Sequence, residues 1–132
     1  MRILVVEDEF LLAMNLENIL EELGHEVVGS ASCKREALDA VDGADLALVD
    51  VRLTDGATGP EIAEILKSRY GVTVVFTTGN PEMVLESSAG VGVIRKPYDD
   101  TMIAKAVNYA TDRHEGRQVP TPPMLTRIPV GL

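Results

Sequence analysis

Apolar and polar positions alternate in blocks along this chain. Arg2–Glu7 (RILVVE) is a short, aliphatic, partly β-branched run, the pattern of a strand buried on both faces. In Phe10–Leu23, Leu12, Leu16, Ile19, Leu20 and Leu23 recur at helical spacing, and Gly24 supplies a C-terminal stop. His25–Ala31 predicts a second strand, and Ser32 can cap a helix reaching about Val41. Asp45–Asp50 predicts a third strand. Pro60 suits the first turn of a helix to about Arg69. Val72–Thr78 predicts a fourth strand, and Asn80-Pro81 pairs a cap with a first-turn proline for a short helix to about Ser88. Val91–Arg95 predicts a fifth strand. Asp99 or Asp100 opens a last helix to about Arg113.

Five strands alternating with five helices is βαβ repetition, hence an α/β fold: a parallel sheet covered by helices on both faces. The expected topology is the doubly wound, flavodoxin-like strand order 2-1-3-4-5. Ligands in such sheets sit beyond the carboxyl ends of the strands. The folded body is expected to span residues 1–113. Residues 114–132 hold Pro120, Pro122, Pro123 and Pro129, four of the seven prolines, and show neither period. They read as an extended tail, disordered in solution and too short to be an output domain. Met124-Leu125 and Ile128-Pro129-Val130 nevertheless carry enough apolar surface to dock on their own domain or a neighbour.

Composition narrows the class. At 132 residues, 45 % hydrophobic and 25 % charged, the chain is an ordinary single domain. No apolar run approaches the ~20 residues of a membrane span. Glu7-Asp8-Glu9 follows the first apolar run too closely for a signal peptide. Cys33 alone excludes an intramolecular disulfide and argues against a thiolate zinc site; His25 and His114 stand apart. A cytoplasmic protein, monomeric or weakly dimeric, is expected. The net charge of −9 argues against nucleic-acid binding through a basic surface. Only Glu115 of the acids lies beyond residue 113, so the negative charge belongs to the folded body.

The predicted strand ends carry the chemistry. The first ends in Glu7-Asp8, the third in Asp50, the fourth in Thr77-Thr78-Gly79 and the fifth in Arg95-Lys96-Pro97. In the order 2-1-3-4-5 these ends are neighbours. Crowded carboxylates raise one another's pKa unless a cation neutralises them. Mg²⁺ prefers such hard oxygen ligands, completed by water and phosphate oxygens. A carboxylate there can attack phosphorus, while a lysine and a hydroxyl stabilise the transferred oxygens.

Glu7-Asp8, Asp50, Thr78 and Lys96-Pro97, at these separations, resemble the receiver domain of two-component response regulators, over about residues 1–113. The resemblance implies that Asp50 accepts the phosphoryl group. It implies that Asp8 and Asp50 ligate Mg²⁺ directly, that Glu7 holds it through water, and that the backbone carbonyl of Arg52 adds an oxygen. Thr78 would be the switch hydroxyl, Lys96 the cation pairing with Asp50 and the phosphate, and Lys96–Pro97 a cis peptide. The implied partners are a histidine kinase or histidine phosphotransfer protein and a downstream protein docking on the Asn80–Arg113 face, with neither nucleic acid nor membrane involved. Catalysis would extend only to the chain's own phosphoryl transfer and dephosphorylation.

Two positions depart from the family pattern D-x-x-M-P-x-x-x-G. Thr54 stands in place of its proline and Gly59 comes one residue late, so a longer and looser loop over the site is expected. The aromatic three residues before the lysine is Val93, which cannot perform the same ring rotation. Phe76-Thr77-Thr78-Gly79-Asn80 is similar to the F-A-T-G-Y signature of stand-alone alphaproteobacterial receivers, a subgroup that shares both departures; some of its members work with HWE-type kinases or in general stress signalling.

Each site residue has an ordinary structural alternative: a cap for Glu7 and Asp8, a loop hydrogen bond for Asp50, strand propensity for Thr78, solvation for Lys96. Their joint placement at adjacent strand ends carries the functional reading. Alternation turns Arg95 away from the site. Cys33 and His25 are assigned no chemistry, and Met14, Met83 and Met102 are read as core or partner-face residues. Two other functions compete. Asp50-Val-Arg-Leu-Thr54 distantly resembles the D-x-D-x-T motif of haloacid-dehalogenase phosphatases, but Arg52 occupies the acid/base position. The missing aromatic and altered loop also allow a phosphate-independent interaction module.

Overall fold

A computed structural model describes residues 1–127. The strands are β1 (Arg2–Val6), β2 (Glu26–Ala31), β3 (Leu46–Asp50), β4 (Thr73–Thr78), β5 (Gly90–Arg95) and β6 (Leu125–Arg127). The helices are α1 (Phe10–Glu22), α2 (Lys34–Ala40), α3 (Gly59–Tyr70) and α4 (Asp100–His114). They form one sheet of order β2-β1-β3-β4-β5-β6. The first five strands are parallel, in the expected flavodoxin-like order, and β6 is antiparallel to β5.

The central strands are apolar at successive positions because both sheet faces are covered. Leu4, Val6, Ala47, Val49, Val74 and Phe76 pack with Ile62 and Leu66 of α3 and Ala37 of α2. Their strand neighbours Ile3, Val5, Leu46, Leu48, Val75 and Ile94 face α1 and α4, meeting Leu16, Leu20, Ile103 and Val107. This alternation buries every residue of β3. The helix ends follow local chemistry. Gly71, at φ +67, closes α3, with its N–H donating to the Lys67 carbonyl and that of Val72 to Leu66. Asp99 caps α4 by accepting the Met102 N–H at 2.8 Å.

Two expectations need correction. The helix expected over Asn80–Ser88 is a single 3-10 turn, Pro81–Met83, followed by turns. Asn80 makes no side-chain cap, and between Pro81 and Ser88 only Val84 is fully buried, too little packing to hold a short helix. Four α-helices therefore replace five among the described residues. The tail, expected to be disordered, returns to the sheet as β6, and Leu125 is buried against the α1–α4 side. Of its apolar residues, Met124 packs beside Leu125, whereas Ile128, Pro129 and Val130 lie outside the described residues.

Candidate functional site

The carboxyl ends of β1, β3, β4 and β5 converge as the strand order requires. Glu7 and Asp8 follow β1 directly, Asp50 ends β3 and Thr78 ends β4. Asp50 pairs in register with Thr77, and Thr78 with Arg95. Lys96 follows β5, and its N–H donates to the Thr78 carbonyl at 2.9 Å. The Lys96–Pro97 peptide is cis. The side chain of Lys96 reaches back across the strand ends: Nζ donates to Glu7 Oε1 at 2.9 Å and to Asp50 Oδ2 at 3.0 Å.

Carboxylate oxygens of Glu7, Asp8 and Asp50 lie within 4.8 Å of one another. Glu7 and Asp50 are buried, while Asp8 is exposed at the mouth. The Glu7 carboxyl is pushed up to about 7, chiefly by burial and further by the charge of Asp50; Lys96 and the Glu9 N–H oppose the shift. For Lys96, the hydrogen bonds to Glu7 and Asp50 outweigh burial and hold its ammonium above the usual range. One ammonium cannot neutralise three carboxylates. The excess negative charge, the all-oxygen donor set and the open position at Asp8 fit a hard divalent cation such as Mg²⁺.

The expected site residues thus fall at one place, with differing exposure. Thr78 is buried, and its Oγ1 accepts the Asn80 N–H at 3.0 Å. Arg52 lies exposed in the loop two residues beyond Asp50. Arg95 is exposed. The loop expected to be loose is tied down. Leu53 and Gly56 exchange backbone hydrogen bonds at 2.8 and 3.0 Å. Asp55 accepts the Thr58 hydroxyl and the Lys34 N–H, and the Thr54 hydroxyl donates to the Ser32 carbonyl. These polar bonds fasten residues 51–58 to the start of α2.

Sequence reasoning passed over Tyr98. With Leu12, Lys96 and Pro97 it lines a cavity of about 330 Å³ beside the acids. Its hydroxyl is buried without a hydrogen-bond partner, and burial, with added repulsion from Glu7 and Asp50, holds it well above the ordinary phenol range. Its position directly after Lys96-Pro97 was the available signal.

A pH dependence follows from Glu7. Its folded-state pKa of about 7 exceeds its ordinary 4.5, so the folded state binds more protons than the unfolded state between these values. Metal-free protein in EDTA is therefore expected to lose stability as pH rises from 4.5 to 7, and Glu7→Gln is expected to flatten that decline. Thermal melts across this range check it; a slope unchanged in the variant would contradict the assignment.

A doubly wound, mostly parallel sheet with clustered acids, a hydroxyl and a lysine at its strand ends is the flavodoxin-like fold of a receiver domain. The chain matches the response regulator receiver domain model over residues 3–108 and belongs to that family. It is 34% identical over 113 residues to the phyllosphere-induced regulator PhyR of Methylorubrum extorquens, covering 82% of this chain and 42% of that protein. The crystal structure of the response regulator PhyR from Brucella abortus superposes with a TM-score of 0.79 at 32% identity, over 87% of this chain and 49% of that one. The solution structure of the Erythrobacter litoralis PhyR receiver domain gives a TM-score of 0.74 at 28% identity, over 92% and 95% of the two chains. The chain thus spans about half the length of the full regulators it resembles and nearly the whole of the isolated receiver domain. Among the described residues no helix is long and apolar enough to cross a membrane.

Proposed function

We propose that this chain is a phosphoacceptor of a two-component phosphorelay, taking a phosphoryl group on Asp50 from a phosphohistidine of a kinase or phosphotransfer protein and signalling through protein contacts. The observation that carries this reading is the Lys96 ammonium bridging Glu7 and Asp50 at 2.9 and 3.0 Å, with Asp8 beside them. An Asp50 oxygen attacks phosphorus, the P–N bond of the donor breaks, and its electron pair returns to the imidazole, which takes up a proton. Lys96 is already hydrogen-bonded to the attacking carboxylate and can follow the transferred oxygens. Thr78, at the end of the neighbouring strand, can exchange its bond to Asn80 for one to a phosphoryl oxygen.

Glu7, Asp8 and Asp50, with the carbonyl of Arg52, would hold Mg²⁺, whose charge offsets that of the phosphoryl oxygens. Phe10, Leu11 and Met14 are exposed on α1, the helix that begins next to Asp8, and offer the donor an apolar rim. Phosphorylation adds about −1.5 to −2 charges at one point of the sheet and can select one of two existing conformations. The chain catalyses no turnover beyond its own phosphorylation and dephosphorylation, and it works in the cytoplasm.

Intact mass after incubation with Mg²⁺ and acetyl phosphate tests this reading. One phosphoryl group, lost when EDTA is added first, is expected. If neither an adduct nor a stable beryllofluoride complex forms, the phosphate-independent interaction module replaces it. Many turnovers of a small phosphate ester would instead place the chain among phosphatases.

A further inference from the structure

The body of the domain is shaped to receive β6. Ile94 pairs with Leu125, Val93 with Thr126 and Gly92 with Arg127. Leu125 therefore lies diagonal to Gly92 on the same face of the sheet. A Cβ at Gly92 would meet Cγ and Cδ2 of Leu125 at 2.8 Å and Cδ1 at 2.9 Å. Glycine inside a strand weakens it and marks a close approach; here it opens the slot that the leucine fills. Leu125 is only 4% exposed, and Val119 and Met124 pack against the same core.

Without this segment β5 would present an unpaired row of N–H and C=O groups along an open edge, a template for another strand. The edge includes Val93, the position where the receiver pattern places an aromatic. Among the described residues the anchoring strand is Leu125–Arg127, and it follows a linker with Pro120, Pro122 and Pro123 and no regular structure before it. A strand joined to the domain through such a linker can lift locally while the rest of the domain stays folded.

We propose that the β5 edge is a strand-accepting interaction surface, held closed by the chain's own Leu125–Arg127 and open, once that strap lifts, to an extended partner segment with a leucine-sized side chain beside Gly92. The resident segment defines what the partner must offer: antiparallel direction, no proline within the paired residues, and an aliphatic side chain that fits over a glycine. A tethered segment competes at an effective concentration of millimolar order, so a partner strand of equal intrinsic affinity is largely excluded until the strap is released. This proposal stands apart from phosphate acceptance by Asp50, and its test contains no phosphate.

The probe is a synthetic peptide of residues 118–127 (QVPTPPMLTR), titrated into the ¹⁵N-labelled full chain. In Leu125→Asp the backbone amides of Gly92, Val93 and Ile94 are expected to shift saturably, with a midpoint at least about tenfold below that of the unsubstituted chain. Adding Gly92→Val to that variant is expected to abolish the shifts. Equal binding by both chains, or no shifts at β5 in Leu125→Asp, overturns the proposal. If Leu125→Asp does not fold, Leu125→Ala takes its place. The fit of the slot is read separately: Gly92→Ala should lower the melting temperature in the unsubstituted chain and not in Leu125→Ala, whereas additive effects would show that the slot and the leucine are unrelated.

Discussion

Asp50→Asn is expected to reduce phosphoryl incorporation to background while leaving the fold intact. The substitution is nearly isosteric. Its amide oxygen can still accept from Lys96 Nζ, now 3.0 Å from Asp50 Oδ2, so the strand end keeps its shape. What disappears is the anionic oxygen that attacks phosphorus and one of the three carboxylates facing a cation. The acids Glu7 and Asp8 remain within reach of the site but lack the position at the end of the central strand. The same substitution removes the negative charge that helps raise Glu7. The metal-free variant is therefore expected to melt no lower than the parent at pH 7.5, and its loss of stability between pH 4.5 and 7 should be shallower. Intact mass after acetyl phosphate treatment, run beside a thermal melt, separates the two effects. Wild-type levels of adduct on Asp50→Asn would move the acceptor elsewhere, and a large fall in melting temperature would show that Asp50 acts structurally.

Much of this site was legible because parallel strands are written plainly. Both faces of β1, β3 and β4 are buried, so their apolar runs stand out, and the polar residues that end them mark the rim where ligands bind. Glu7, Asp8, Asp50, Thr78 and Lys96 were found in this way. Tertiary context decided the rest. Leu125-Thr126-Arg127 is too short to show a period, and its pairing depends on the space at Gly92, over thirty positions earlier. The segment after Asn80 carried good helix-start residues, but it had too little apolar surface to hold more than one 3-10 turn. The loop after Asp50 looked loose because glycines and a threonine replaced the expected pattern. Its polar side chains instead bond across to Ser32 and Lys34, contacts between segments some twenty residues apart.

Where that loop meets α3, the backbone at Gly59 leaves no room for a side chain. Gly59→Ala is expected to destabilise the domain by roughly 3 kcal/mol, the upper part of the range for overpacked sites. For a domain of this size that is a fall of roughly 10 °C in melting temperature. A Cβ there would lie 2.2 Å from the carbonyl oxygen of Asp50, 2.7 Å from the Cα of Val51 and 2.9 Å from its carbonyl oxygen. These are main-chain atoms, so no rotamer change can relieve the contact. The Gly59 N–H donates to the Val51 carbonyl at 3.0 Å, which holds the start of α3 against the end of β3. Relief requires moving either the helix or the strand end that presents the Asp50 carboxylate. Phosphoryl uptake should therefore slow even in the fraction that remains folded. Gly79→Ala is the control: it lies at the end of β4 beside Thr78, and an added Cβ meets nothing within 4 Å. Its melting temperature should stay within a few degrees of the parent. If Gly59→Ala melted like Gly79→Ala and took up phosphate at the parent rate, the close approach of α3 to Asp50 would have no part in placing the acceptor.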